Sequence, residues 1–219
     1  MGRFKQPGSG GMVGKGKQAR NFNSTIDGFI ERLAEKMPDA NLGYLIAGIN
    51  LAFYAAYCFW PSGQMHSYLN HCTFSVYGFN QGYVHNLLTC HFSHQSFLSV
   101  LIDSLFCWLL SQSFTQQYGA LFLGRTLLLS MFMGSGLLFF YHNALSGRVP
   151  PFQGNDAIMR GIIYTFIFAN PQQTFMMFPI PIQVPAYALG IVLLLLDTYF
   201  VNMSGFGGIG AAYAMKYLL

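Results

Sequence analysis

The chain has 219 residues, of which 53 % are apolar, 17 % aromatic and only 8 % charged, with a formal net charge of +4. A soluble domain carries roughly 25 % charge, so ionised surface is too scarce here for a dispersed globule, and hydrophobicity is too high for a disordered chain. The class that remains is an integral membrane protein, in keeping with a mean hydropathy of +0.39.

The charge is uneven. Seven of the eleven Lys and Arg residues precede residue 40; after it come only Arg125, Arg148, Arg160 and Lys216, against Asp103, Asp156 and Asp197. Residues 1–23 are rich in Gly and basic residues and contain no acid. They have the flavour of a transit peptide without its amphipathic Arg/Ser pattern. Since the chain starts at Met1, the segment is expected to be uncleaved, and an ordered tail of this kind would need a partner to hold it. A basic flank is drawn to anionic lipid. The body has no basic stripe interleaved with aromatics, so no nucleic-acid partner is expected.

Ser24 to Met37 reads as an amphipathic helix, with Ile26, Phe29, Ile30, Leu33 and Met37 on one face. Fourteen residues are too few to span a bilayer, so the helix is expected to lie on its surface until Pro38 ends it. Six apolar stretches follow: Leu42 to Trp60, Ser96 to Phe114, Leu121 to Tyr141, Ala157 to Ala169, Val184 to Phe200 and Gly205 to Leu219. Helices are the solution that satisfies the backbone of such segments in lipid. Between the first two lies a long mixed loop, Ser62 to Thr89, holding His66, His71 and His85. The expected fold is therefore all-α: a polytopic six-helix membrane domain over residues 42–219, preceded by a basic tail and surface helix over residues 1–41.

Cys58, Cys72, Cys90 and Cys107 show no CxxC spacing and read as small buried hydrophobes. His85, His91, His94 and His142 invite a metal reading, but no acidic or Cys partner stands at a supporting spacing. No metal and no cofactor are expected. Asp103 and Asp156 are intramembrane carboxylates, expected to pair with a helix end or with Arg160.

The stretch from Leu87 to Asp103, LLTCHFSHQSFLSVLID, resembles the start of the second membrane helix of the rhomboid family. Gly154-Asn155-Asp156-Ala157, followed by Gly161, resembles that family's GxSG and its downstream Gly. Phe178-Pro179-Ile180-Pro181 resembles the segment before its fifth helix, and Gly205 to Ala212 resembles the small-residue opening of its sixth. Ala157-Ile158-Met159 and the FP segment look closest to the mitochondrial branch.

The resemblance implies an intramembrane serine protease. The GxSG serine attacks the peptide, a His on the sixth helix takes its proton, and a His and an Asn on the second helix help bind the oxyanion. This sequence departs at those positions. Asp156, or Asn155 in the register shifted by one, stands where the serine would be. Gly207 or Gly208 stands at the base position, Ser99 replaces the second-helix His and Asp103 the Asn; only His94, the first His of the motif, is retained. The expectation is a protein without protease activity, since loss of nucleophile and base removes the mechanism. A serine and a histidine within bonding reach of each other between those helices, or an unrelated topology, would end that expectation.

The resemblance then suggests a structural or accessory subunit of a mitochondrial inner-membrane complex, in the respiratory chain or an ATP synthase assembly. Its partners would be other membrane subunits and phospholipids. The alternative is an adaptor similar to derlins, binding membrane clients. An enzyme using Asp156 or Asp103 with His94 ranks last.

Overall fold

The computed structural model describes Thr25, Asp27, Gly28 and Arg32, and residues 42–145, 151–177, 182–200 and 202–217. Thr25, Asp27, Gly28 and Arg32 are helical. The tail before them, the rest of the expected surface helix and Phe178 to Pro181 lie outside the described residues.

Each apolar stretch forms a helix. They are α1 (Leu42–Phe59), α5 (Phe97–Tyr118), α6 (Ala120–Leu145), α7 (Asp156–Ala169), α8 (Ala186–Tyr199) and α9 (Met203–Lys216). Their ends follow local chemistry. Gly119, at φ 86°, stops α5 at Tyr118, four residues past the expected Phe114. Asn202 begins α9 earlier than Gly205, because its Oδ1 accepts from the Gly205 amide at 3.0 Å.

Two regions depart from the sequence reading. The loop expected from Ser62 to Thr89 is built of a 3₁₀ turn at Ser62–Gln64 and three short helices, α2 (Met65–Cys72), α3 (Val76–Asn80) and α4 (Asn86–Thr89). The fifth apolar stretch starts at Ala186 instead of Val184. Val184 belongs to an antiparallel hairpin of β1 (Thr174–Met177) and β2 (Ile182–Pro185), with Thr174 opposite Pro185 and Met177 opposite Ile182. The fold is thus an all-α membrane bundle with one small hairpin on the α7–α8 connection.

The short loop helices are packed, not loose. Buried Tyr68 donates to the Phe53 carbonyl at 3.0 Å, and Phe74 and Phe152 exchange two backbone hydrogen bonds of 2.8 Å. Of the cysteines, Cys90 and Cys107 are buried as expected, while Cys72 is half-buried and Cys58 is exposed.

Among the described residues, three helices are long and apolar enough to cross a membrane: Leu42–Phe59, Phe97–Tyr118 and Ala120–Ala144. With 14 residues each, α7, α8 and α9 are shorter. At 1.5 Å per residue they reach about 21 Å, below the roughly 30 Å of a hydrocarbon core. Both α7 and α9 are heavily buried against α6. The main core gathers Ile46, Cys107, Phe114, Leu123, Leu127, Met131, Ile158, Ile162 and Phe166 from α1, α5, α6 and α7. On the flank of α6, Arg125 donates to both Asp27 carboxylate oxygens, at 3.0 and 2.6 Å, and ties the N-terminal helical residues to the bundle. The guanidinium holds the Asp27 carboxyl below its usual pKa, so the pairing persists at neutral pH and loosens only as pH falls through that depressed value.

The closest approach is backbone to backbone, where α9 crosses α6 and α7. A Cβ at Gly207 would overlap the Gly134 backbone of α6, and one at Gly208 the Ala157 carbonyl oxygen of α7. Small residues at such a crossing are what drives helix association where lipid removes the hydrophobic drive. Gly208→Ala is expected to cost about 1–3 kcal/mol through overpacking. Gly136→Ala, on the same bundle with nothing within 4 Å of its added Cβ, should leave stability unchanged. Equilibrium unfolding of the two variants in mixed micelles checks the contrast.

Candidate functional site

The residues singled out by sequence converge around the N-terminus of α7, and each has a definite environment. Asn155 occupies the N-cap position, but its side chain does not cap the helix. It is buried, and its Nδ2 lies 2.8 Å from Cys107 Sγ of α5; its Oδ1 has no hydrogen-bond partner among the described residues. Cys107 in turn points its thiol at Met159 Sδ, 3.4 Å away. Asp156 opens the first turn of α7, where a carboxylate suits the helix dipole. It keeps exposed surface although Arg160, Asp103, Asp197 and Asn202 act on it from nearby. The carboxylate therefore sits at the edge of this cluster of polar groups.

Arg160 is not the partner of Asp156 or Asp103. It gives both Nε and Nη2 to Asp197 of α8, at 2.7 and 2.9 Å. Asn202 adds a donor to Asp197 at 3.2 Å while capping α9 with its Oδ1. Asp197 is 1 % exposed, so one buried carboxylate joins α7, α8 and the start of α9. This correction has a simple cause: a bidentate guanidinium–carboxylate fit outweighs a contact one turn away on the same helix. The sequence offered Arg160 and Asp197 as rare charges in apolar text, but no spacing that joined them.

Asp103 instead receives His94. The imidazole Nε2 lies 2.8 Å from Asp103 Oδ2, and Nδ1 lies 3.1 Å from the Phe92 carbonyl oxygen. Both ring nitrogens thus face oxygen atoms. The side chain of His94 is 1 % exposed and that of Asp103 27 %. A carboxylate engaged in this way cannot serve as the donor an oxyanion requires. Ser99 lies exposed on α5.

Gly207 and Gly208, the two candidate base positions, have no room for a side chain. At Gly208 an added Cβ would meet the Ala157 carbonyl oxygen and also Arg160 Cβ at 2.9 Å. The neighbouring Gly134 faces Ala157 Cβ, with Ser204 Oγ at 3.2 Å and His91 Cε1 at 3.3 Å from its own added Cβ. The space an imidazole needs is occupied by neighbouring helices.

One contact was not anticipated, and it bears on the expectation that no serine meets a histidine. His91 Nε2 lies 3.0 Å from Ser135 Oγ of α6. The same nitrogen lies 3.0 Å from the Met131 carbonyl oxygen, which can only accept, so Nε2 carries hydrogen. Ser135 gives its own hydrogen to the Leu87 carbonyl at 2.9 Å. In this arrangement the nitrogen facing the hydroxyl is a donor, and the hydroxyl proton is placed on the Leu87 carbonyl. Both residues are 0 % exposed, which leaves no path for a peptide. The signal in the sequence was weak, because 44 residues separate the two and neither falls on a family motif position as aligned above.

Helix count, burial and placement of polar groups define a polytopic α-helical membrane protein built around a three-helix crossing. The chain belongs to the rhomboid family: the Rhomboid domain model matches residues 81–219. No curated protein matches it.

Replacing Asp197 with Leu strands the Arg160 guanidinium in the bundle and is expected to cost about 3–5 kcal/mol, with most of it recovered in Arg160→Met/Asp197→Leu. Reversible unfolding of the single and double variants in micelles tests this; equal losses in both would show that the ion pair is not what couples α7 to α8.

Proposed function

We propose that this rhomboid-family chain is catalytically inactive and acts as a structural or accessory subunit of a mitochondrial inner-membrane complex, in the respiratory chain or an ATP synthase assembly. One observation carries the inactive reading: the positions that would supply the base, Gly207 and Gly208, are backbone contact points against α6 and α7. The nucleophile positions, Asn155 and Asp156, hold no hydroxyl or thiol. The His91–Ser135 contact is wired as a structural clasp. The subunit role is supported by the basic, acid-free N-terminal segment and by exposed apolar side chains along α5 and α8, among them Phe97, Leu98, Ile191, Leu195 and Phe200. These give neighbouring subunits and phospholipids an apolar face. The mitochondrial part rests on the likeness of Ala157-Ile158-Met159 and the FP segment to that branch.

Two measurements test it. A fluorophosphonate probe applied to the solubilised chain is expected to label no serine, and a fluorogenic transmembrane peptide to remain uncut; modification of Ser135 would overturn the inactive reading. Purification from native membranes is expected to return the chain in a constant ratio to fixed companions. The alternative is a derlin-like adaptor for membrane clients, favoured by three helices of 14 residues that suit a thinned bilayer. Substoichiometric, varied cross-linked clients would select it.

A further inference from the structure

Away from the N-terminus of α7, a histidine of α2 meets one at the start of α4. His71 lies in the last turn of α2 and His85 immediately precedes α4. Nδ1 of His71 is 3.1 Å from Nε2 of His85, and the ring centroids are 5.2 Å apart. Both residues are exposed. Tyr83 walls one side, edge-on to both rings at centroid distances of 5.0 and 6.0 Å.

The scaffold sets this proximity as much as the rings do. Thr89 Oγ1 lies 2.7 Å from the His71 carbonyl oxygen and 3.3 Å from that of His85, so one hydroxyl bridges the two backbones. Beside it, buried Asn86 donates Nδ2 to the carbonyls of Asn70 and Thr73, at 2.7 and 2.9 Å. These residues flank His71, and Asn86 adjoins His85. The end of α2 and the start of α4 are thus pinned at points next to both imidazoles. A chelate gains most when its ligands are held in place before the ion arrives.

We propose that His71 and His85 form a two-imidazole site for a divalent transition-metal ion, zinc in the first instance, with water completing the coordination. Two nitrogens bound to one tetrahedral zinc at about 2.0–2.1 Å stand about 3.3–3.4 Å apart. The observed separation needs to open by only a few tenths of an ångström. Without metal, one ring donates its N–H to the other ring's lone pair. With metal, both lone pairs face the ion, and the donor's hydrogen moves to its outer nitrogen, where water accepts it. Among the described residues no group of three or more His, Cys, Asp or Glu side chains gathers around an ion, so the site is open and exchangeable, unlike a closed structural zinc. It clamps α2 to α4 within the connection between the first two spans. The sequence reading weighed His85 beside His91, His94 and His142 and not beside His71.

The test uses the full-length chain in detergent, free of any affinity tag, titrated with Zn²⁺ alone by calorimetry and with Cu²⁺ alone by electron paramagnetic resonance. One zinc per chain is expected, and two imidazole nitrogens on copper. His71→Ala and His85→Ala should each weaken zinc binding at least tenfold. The double variant should be no weaker than either single, because each removes the same site. His66→Ala, one exposed histidine away on α2, should change nothing. A single imidazole nitrogen on copper in the unmodified chain, affinity indifferent to both substitutions, or losses that add in the double variant would each overturn the proposal. The copper spectrum needs no variant, so a substitution that misfolds does not shelter the idea.

Discussion

The bundle depends on a backbone-on-backbone crossing, where glycines let α9 lie close against α6 and α7. In lipid, apolar side chains gain little by meeting each other, so close contact must come from dispersion and from helices allowed to approach. Gly134, Gly161, Gly207 and Gly208 make that approach possible; at each, an added Cβ would fall on a neighbouring atom. Once these helices are in contact, the place of nearly every polar group follows. Ser130 and Ser135 face the crossing and send their hydrogens to Thr126 and Leu87 carbonyls, and His91 closes against the same surface. These three side chains are paired locally, which lowers the cost of burying them in a low-dielectric interior, whereas Asn155 Oδ1 and Ser204 Oγ are buried with no hydrogen-bond partner among the described residues.

The charged groups obey the same constraint at the rim. Asp197 takes three hydrogen bonds from Arg160 and Asn202, and Asp103 takes His94. Each pairing joins elements that the glycine crossing alone does not hold: α8 to α7 in the first case, the segment before α5 to α5 in the second. Asp156 stands in the first turn of α7, where the backbone dipole compensates it and Arg160 and Asn202 lie close. Short α7 and α9 are tolerable for a related reason. Their backbones are shielded by α6, so neither needs to match the bilayer thickness.

How much of this the sequence discloses depends on the range of the interaction. The six helices were legible because hydropathy is summed along a contiguous segment and lipid admits few alternatives. The hairpin at 174–177 and 182–185 was not. Phe, Met, Ile and Pro in an apolar run satisfy a strand or a helix, and the register is decided by the turn joining the strands. The short helices α2, α3 and α4 escaped notice because none is long enough to show a period. At the candidate site, the unusual residues Asp103, Asp156, Arg160 and Asp197 stood out as charges in apolar text, yet their partners did not. Arg160 and Asp197 are 37 residues apart, His91 and Ser135 are 44. Only the packing of helices brings such pairs together, and one sequence carries no record of it.

The crossing also bears on why the proposed loss of proteolysis would be hard to reverse. Restoring the nucleophile and the base on paper takes two substitutions, a serine at Asp156 (or Asn155) and a histidine at Gly207 or Gly208, with Ser99 and Asp103 still to change. The second cannot be accommodated. An imidazole at Gly207 would need the Gly134 backbone to withdraw, and at Gly208 the Ala157 carbonyl and the Arg160 stem. Moving Arg160 disturbs its grip on Asp197, and through Asn202 the cap of α9 itself. The contact that stabilises the bundle is thus the same contact that excludes a base. On the proposed reading, a base at either position would require α9 to separate from α6 and α7 at the point where their backbones now touch.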